Sequence, residues 1–163
     1  MDAIELLKQQ HREVEELFEK FEKAGEGKPE VLMDLAARIA DNLAAHATIE
    51  EKLFYPSVYV GPTMEKLQHA VEEHLSAKRV IADLLEMDPA DAQFKAKVMV
   101  LQELIEHHVK EEEKELFPKV KKLMTKEELA VIGEQMEVMF SELIQSEPRM
   151  QVPLETDEAA PLP

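Results

Sequence analysis

The sequence contains no cysteine. Disulfides, thiolate zinc sites, iron–sulfur clusters and cysteine nucleophiles are therefore excluded. Tryptophan is also missing, aromatic residues make up 5% of the chain, and there are four glycines in 163 residues. So little turn-forming and aromatic residue speaks against an all-β fold. Basic residues are scarce beside acidic ones, 19 against 35, for a net charge of -16. Nucleic acid and anionic membranes both need a basic face, so neither is an expected partner. No apolar run approaches the roughly 18 residues of a membrane span. The start, Met1-Asp2-Ala3-Ile4-Glu5, has neither the basic residues nor the apolar core of a signal peptide, and a cytoplasmic protein is expected. What is present is 45% apolar residue, enough for the core of one domain.

Helical periodicity dominates. The first helix is predicted from about Ala3 to Ala24, ending at Gly25-Glu26-Gly27, and the second from Pro29 to about Val58. Gly61-Pro62-Thr63 breaks the second, and a third runs from about Pro62 to Met87. Asp88-Pro89 reads as a cap followed by a first-turn proline, opening a fourth helix to about Met124 that Pro118 should kink or break. Thr125-Lys126-Glu127-Glu128 is a capping box for a fifth, to about Gln145. The expected architecture is all-α: an up-down-up-down four-helix bundle with an appended helix, over residues 1–145. From Ser146 on, Pro148, Pro153, Pro161 and Pro163 punctuate a stretch without apolar periodicity, and residues 146–163 are predicted to be a disordered tail.

Steps of three and four along each helix trace its core face. Helix one gives Ile4, Leu7, His11, Val14, Phe18 and Phe21; helix two gives Ile39, Leu43, His46, Glu50 and Leu53. Helix three gives Leu67, Val71, His74, Lys78, Ile81 and Leu85; helix four gives Phe94, Val98, Leu101, Ile105, His108, Glu112 and Leu116. A histidine interrupts every stripe, and in two of them a glutamate follows one turn later. Counted from the turns at about 1.5 Å per residue, the four histidines agree in height to within roughly 10 Å. A buried carboxylate is costly unless paired or bound to metal. The one nearby cation on these stripes, Lys78, has a stem long enough to reach water. Imidazole suits iron, zinc and copper, and bridging carboxylates suit a pair of hard divalent ions. A dinuclear centre held by His11, His46, Glu50, His74, His108 and Glu112 is the expectation, with oxo, hydroxo or water ligands completing the charge balance.

The chain also repeats itself. His46-Ala47-Thr48-Ile49-Glu50-Glu51-Lys52-Leu53-Phe54-Tyr55-Pro56 matches His108-Val109-Lys110-Glu111-Glu112-Glu113-Lys114-Glu115-Leu116-Phe117-Pro118. The preceding histidines lie at similar gaps, 35 residues from His11 to His46 and 34 from His74 to His108. A duplicated helix pair would place two half-sites about a pseudo-twofold axis, each supplying two histidines and a glutamate.

With these residues in place, residues 1 to about 124 resemble the hemerythrin-like family in its HHE cation-binding branch. The carriers of the resemblance are His11, His46-x-x-x-Glu50 with its second glutamate and Pro56, His74, and His108-x-x-x-Glu112. The resemblance implies a four-helix bundle around a non-haem di-iron centre bridged by Glu50 and Glu112, with the four histidines as terminal ligands. It also implies reaction with dioxygen, peroxide or nitric oxide, in sensing, storage or detoxification, or as an enzyme reducing peroxide or nitric oxide. An acidic helical adaptor without metal is the remaining reading. The chain departs from the oxygen carriers in two places. Ala70 stands where they have a further histidine, and Glu112 stands in place of their aspartate motif, so more metal positions are left open. His69 is five residues from His74 and points about 140° away from it. His107 is expected at the rim, Glu51 and Glu113 as groups that orient a ligand imidazole or are solvated, and Tyr55 and Tyr59 mainly as packing residues. The Glu-x-x-His pairs of ferritin-like centres and the H-E-x-x-H motif of zincins are both absent.

Overall fold

The computed structural model describes residues 1–163. Helix α1 (Ala3–Ala24) opens with a capping box: the Asp2 carboxylate accepts from the Glu5 amide at 2.9 Å, and the Glu5 carboxylate accepts from the Asp2 amide at 3.1 Å. It ends at Gly25, whose φ of +48° lies in the region that favours glycine. Helix α2 (Pro29–Ile49) has its proline in the first turn, where the missing N–H is not needed. It runs on through one π turn, Glu50–Phe54, into the short α3 (Tyr55–Ser57). A 3₁₀ turn at Gly61–Thr63 leads to α4 (Met64–Leu85). Helix α5 (Ala92–Glu111) continues through a second π turn, Glu112–Leu116, into α6 (Phe117–Leu123). The Thr125 capping box starts α7 (Lys126–Ile144) as expected. The start of α5 differs from expectation. Asp91, not Asp88, is the cap, accepting from the Gln93 amide at 2.8 Å, while Asp88 closes a tight turn onto the Ala90 amide at 2.9 Å. Short connections make α1, α2, α4 and α5 an up-down-up-down bundle, and no helix is long and apolar enough to cross a membrane.

The paired π turns have a common cause. An interior proline lacks an N–H and its ring collides with the carbonyl four residues earlier. Pro56 and Pro118 lie two residues beyond the ends of the two π turns, and the wider turns accommodate them without ending the helix. The Tyr55 amide donates to the Glu50 carbonyl and the Phe117 amide to the Glu112 carbonyl, five residues back in each case. Each π turn advances the helix register by one residue. Phe54, Tyr55 and Phe117 are thereby buried, and Leu53, which a strict 3.6 period places inward, is only half-buried.

The core divides into two apolar clusters. One contains Val14, Phe18, Leu43, Ala77, Ile81 and Leu101; the other contains Leu7, Ile49, Phe54, Val71, Phe117 and Met136. The histidine–glutamate layer lies between them. Helix α7 covers the end of the second cluster with Leu129, Ile132 and Met136. Gly133 lets it approach closely: a Cβ there would sit 2.6 Å from the Met1 carbonyl oxygen and 2.7 Å from the Ala3 amide nitrogen.

The tail is not disordered, which corrects the expectation for residues 146–163. Pro148–Glu155 form a 3₁₀ helix laid over α2 and α4. Val152 is buried in the first apolar cluster, and Ala159 and Leu162 pack against the second. Arg149 clamps Asp41 with its guanidinium at 2.8 Å and its amide at 3.1 Å. Arg79 donates to the Thr156 and Asp157 carbonyls at 3.0 and 3.3 Å. Proline-rich sequence removes the 3.6 period but not the ability to bury a side chain. Deleting residues 147–163 is expected to destabilise the fold by at least the roughly 1.5–3 kcal/mol of one buried aliphatic side chain. Denaturant unfolding of the truncated chain checks this, and an unchanged midpoint would show that the segment contributes nothing.

Candidate metal centre

All six residues expected at the centre meet in the polar layer. Glu50 is fully buried, and His11, His74, His108 and Glu112 are almost so. His46 is slightly more open. The contacts sort the histidines into two pairs. His11, His46, Glu50 and Glu112 bring one donor atom each to within 4.8 Å of the others, as do Glu50, His74 and His108. Each helix pair of the repeat supplies one histidine pair, but the glutamates cross over. His11 Nε2 lies 3.2 Å from Glu112 Oε1, and His74 Nε2 lies 3.1 Å from Glu50 Oε1. His46 and His108 each face the glutamate one turn along their own helix, at 3.4 Å.

The outer ring nitrogens fix the chemistry of the inner ones. His11 Nδ1 donates to Glu113 Oε2 at 2.7 Å, His46 Nδ1 to Gln10 Oε1 at 2.7 Å, His74 Nδ1 to Glu51 Oε2 at 2.7 Å, and His108 Nδ1 to Glu73 Oε1 at 2.9 Å. Ionised carboxylates and an amide oxygen only accept, so each Nδ1 carries the proton. Each neutral imidazole then turns an Nε2 lone pair inward. Those lone pairs meet carboxylate oxygens and each other, with His74 Nε2 and His108 Nε2 at 3.2 Å. Four inward atoms, His11 Nε2, His46 Nε2, Glu50 Oε2 and Glu112 Oε1, are buried without any hydrogen-bond partner. Facing lone pairs repel unless a cation sits among them, so the donor set fits metal.

Protons are the alternative cations. Burial alone would lower the His11 pKa, but the adjacent carboxylates of Glu112 and Glu113 outweigh that and push it up to about 9. His108 is raised well above its ordinary value in the same way, against its burial, by Glu112, Glu50 and Glu73. Burial opposes the Glu50 charge, yet the surrounding imidazoles hold its carboxyl well below the usual range. On the outside, the His11 bond and Arg12 hold Glu113 down at about 2.

Three groups at the site lie beyond what stripe-reading finds. Tyr55 is the first. Its hydroxyl donates to Glu112 Oε2 at 2.6 Å and has Glu50 Oε1 at 3.2 Å and His74 Nε2 at 3.4 Å. The π turn, closed from residue 50 to residue 55, carries it beneath Glu50. Gln10 and Glu73 are the others, each reaching the layer from a neighbouring helix. Glu51 and Glu113 do orient imidazoles. Lys78 does not reach water: its ammonium is buried between Glu51 and Glu155, 3.0 Å from each. Tyr59 instead accepts from Gln68 at 2.9 Å. His69 and His107 lie outside the layer, on the surface.

Outer partners of metal-binding histidines typically contribute about 10–100-fold in affinity. Glu51→Ala and Glu113→Ala are each expected to weaken metal binding by about that factor without abolishing it. Competition with a chelator of known affinity measures this, and unchanged affinity in both would show that the outer carboxylates do not orient the rings.

The fold and the donor set together define a cation-binding bundle. The model of the Hemerythrin HHE cation binding domain matches residues 2–120, and the chain belongs to that family. Its fold is shared by a Hemerythrin HHE cation binding domain-containing protein of Mycobacterium kansasii, whose crystal structure superposes with a TM-score of 0.79 at 23% identity, covering 96% of this chain and 94% of that one. A DNA nickase of Nostoc sp. is 25% identical over 128 residues, 78% of this chain. The chain spans only 36% of that relative's length.

Proposed function

We propose that the chain is a non-haem di-iron protein that binds or reacts with dioxygen or a related small molecule such as peroxide or nitric oxide. The observation that carries this reading is the convergence of four Nε2 lone pairs on two shared carboxylates in a buried layer. His11 and His46 would hold one ion, His74 and His108 the other, and Glu50 and Glu112 would bridge them, with an oxo or hydroxo group completing the charge balance. Two irons so held supply a reversible redox change at which such molecules react.

The protein's own contribution is orientation and exclusion. Glu113, Gln10, Glu51 and Glu73 hold the rings by Nδ1, so the inner nitrogens keep their aim through a change of charge. The Tyr55 hydroxyl donates to Glu112 inside the layer and holds that carboxylate in place. Burial and the two carboxylates raise its pKa far above the ordinary phenol, which keeps that proton in place. A cavity of about 40 Å³ adjoins the imidazoles, walled by Val14, Leu43, Ile81, Ile105 and Val152. A water needs about 10–15 Å³ of such space, so the cavity suits a molecule of two or three heavy atoms.

An optical spectrum recorded while ferrous-loaded protein is exposed to oxygen and then degassed tests the reading. A visible band that appears and then vanishes is the result for a carrier, store or sensor. Irreversible oxidation favours the enzymatic reading, to be followed by steady-state consumption of peroxide or nitric oxide. No spectral change at all would contradict both. Ala70, standing where a further ligand histidine would lie, favours an open metal position in either case. The nickase relative's DNA is not part of this reading, because a chain of net charge -16 has no surplus of cations for a phosphate backbone.

A further inference from the structure

Outside the bundle, in the groove between α4 and α5, lies a second histidine–glutamate cluster that shares only Glu73 with the buried centre. His69 and Glu73 lie one turn apart on α4, and His107 and Glu111 lie one turn apart on α5. His69 Nδ1 is 3.6 Å from Glu73 Oε1 and 3.2 Å from Glu111 Oε2. His107 Nε2 is 3.5 Å from Glu73 Oε2 and 3.4 Å from Glu111 Oε1. Each carboxylate thus touches both histidines with separate oxygens.

His69 Nδ1, one Glu73 oxygen and one Glu111 oxygen lie within 4.8 Å of one another, and His107 stands on the other oxygens of the same two carboxylates. Zinc bonds to imidazole nitrogen and carboxylate oxygen at about 2.0–2.1 Å, so the edges of its tetrahedron are about 3.3–3.4 Å. Two carboxylates neutralise one divalent cation, and neither is paired with a lysine or arginine. The nearby Lys66 is held by Glu115 at 2.9 Å. The two imidazoles are more than half exposed, at 57% and 63%, so an ion can enter from solvent, while Glu73 and Glu111 are partly shielded.

We propose that His69, Glu73 and Glu111 form a mononuclear divalent-cation site on the outer face of the bundle, with His107, across the same two carboxylates, as the candidate fourth ligand. Glu73 gives it a consequence for the interior, since its Oε1 also accepts the Nδ1 proton of His108 at 2.9 Å. A cation on Glu73 draws charge from that bond and makes His108 a weaker donor inside. The outer site stands on its own geometry; only its effect on the interior rests on the di-iron reading.

The test is zinc titration by calorimetry of iron-loaded full-length protein, native against a His69→Ala/His107→Ala double variant. Both side chains are exposed, and circular dichroism confirms that the variant is folded. The native protein is expected to take up about one more equivalent of zinc than the variant, a mononuclear site needing one ion. Cobalt should give the intense visible bands of four-coordinate cobalt in the native protein only. Iron released during the titration is measured in both proteins and subtracted, so zinc that displaces core metal is counted apart from zinc at the outer site. Equal zinc uptake by the two proteins overturns the proposal.

Discussion

Glu50→Ala is expected to lose most of the bound metal, and Glu112→Ala to do the same. Glu50 Oε1 stands 3.4 Å from His46 Nε2, 3.1 Å from His74 Nε2 and 3.9 Å from His108 Nε2, so one carboxylate serves both histidine pairs. In the proposed dinuclear centre, removing it would strip each ion of a ligand and leave two divalent charges facing each other with half the anionic screening. Glu51, one residue along, touches only the outer nitrogen of His74 and the Lys78 ammonium. Metal analysis after loading and desalting should therefore rank native above Glu51→Ala, and Glu51→Ala well above the other two. Equal metal content in Glu50→Ala, Glu112→Ala and Glu51→Ala would sink the ligand assignment. In the metal-free fold the same substitutions should destabilise by about 3–5 kcal/mol, because each removes one partner of a buried carboxylate–imidazole set and leaves the raised imidazoles uncompensated.

Stripping the metal from the native protein is the second large effect expected. Four buried polar atoms lose the cation that faces them, and an unsatisfied buried polar atom costs about 1–3 kcal/mol. For a chain of this size each kcal/mol shifts Tm by about 2–4 °C, so a drop on the order of 10 °C or more is expected in a thermal scan with and without chelator. The gap should also depend on pH. His11 in the metal-free fold is raised from 6.5 to about 9, so its protonation stabilises the folded state fully below pH 6.5 and fades as pH rises through 9. Metal-free protein should lose Tm across that window, while the metal-loaded protein, whose imidazoles carry no exchangeable inner proton, should not. Identical melting of the two forms at all pH values would mean that the layer is satisfied without metal.

The six central residues were legible because their signal is periodic. His46 and Glu50 lie at i and i+4 on an otherwise apolar stripe, and the second half repeats them at His108 and Glu112. What escaped was whatever breaks the period or comes from another helix. Tyr55 faces inward only because the π turn shifts the register, and a 3.6 period cannot foresee that, although the repeated proline beyond each glutamate is its visible trace. Gln10 and Glu73 sit beside ligand histidines in sequence and look like ordinary polar surface. They serve histidines on neighbouring helices, His46 and His108, so only the packing reveals them. The pairing of histidines follows the repeat, while the crossing of the glutamates follows from the bundle's geometry. The order of the C-terminal segment is not legible in the sequence because proline-rich 3₁₀ structure has no apolar period, and its anchors are scattered: Val152, Ala159 and Leu162 on the two clusters, and Arg149 and Arg79 as clamps.

The most direct test of the centre is a crystal of iron-loaded protein measured at the iron absorption edge. Two anomalous peaks are expected inside the bundle, about 3.5–4 Å apart as in other two-metal sites. One should lie against the Nε2 atoms of His11 and His46, the other against those of His74 and His108, with Glu50 and Glu112 between them. A single peak, or iron bound by Nδ1 atoms with the rings turned outward, would contradict the dinuclear centre.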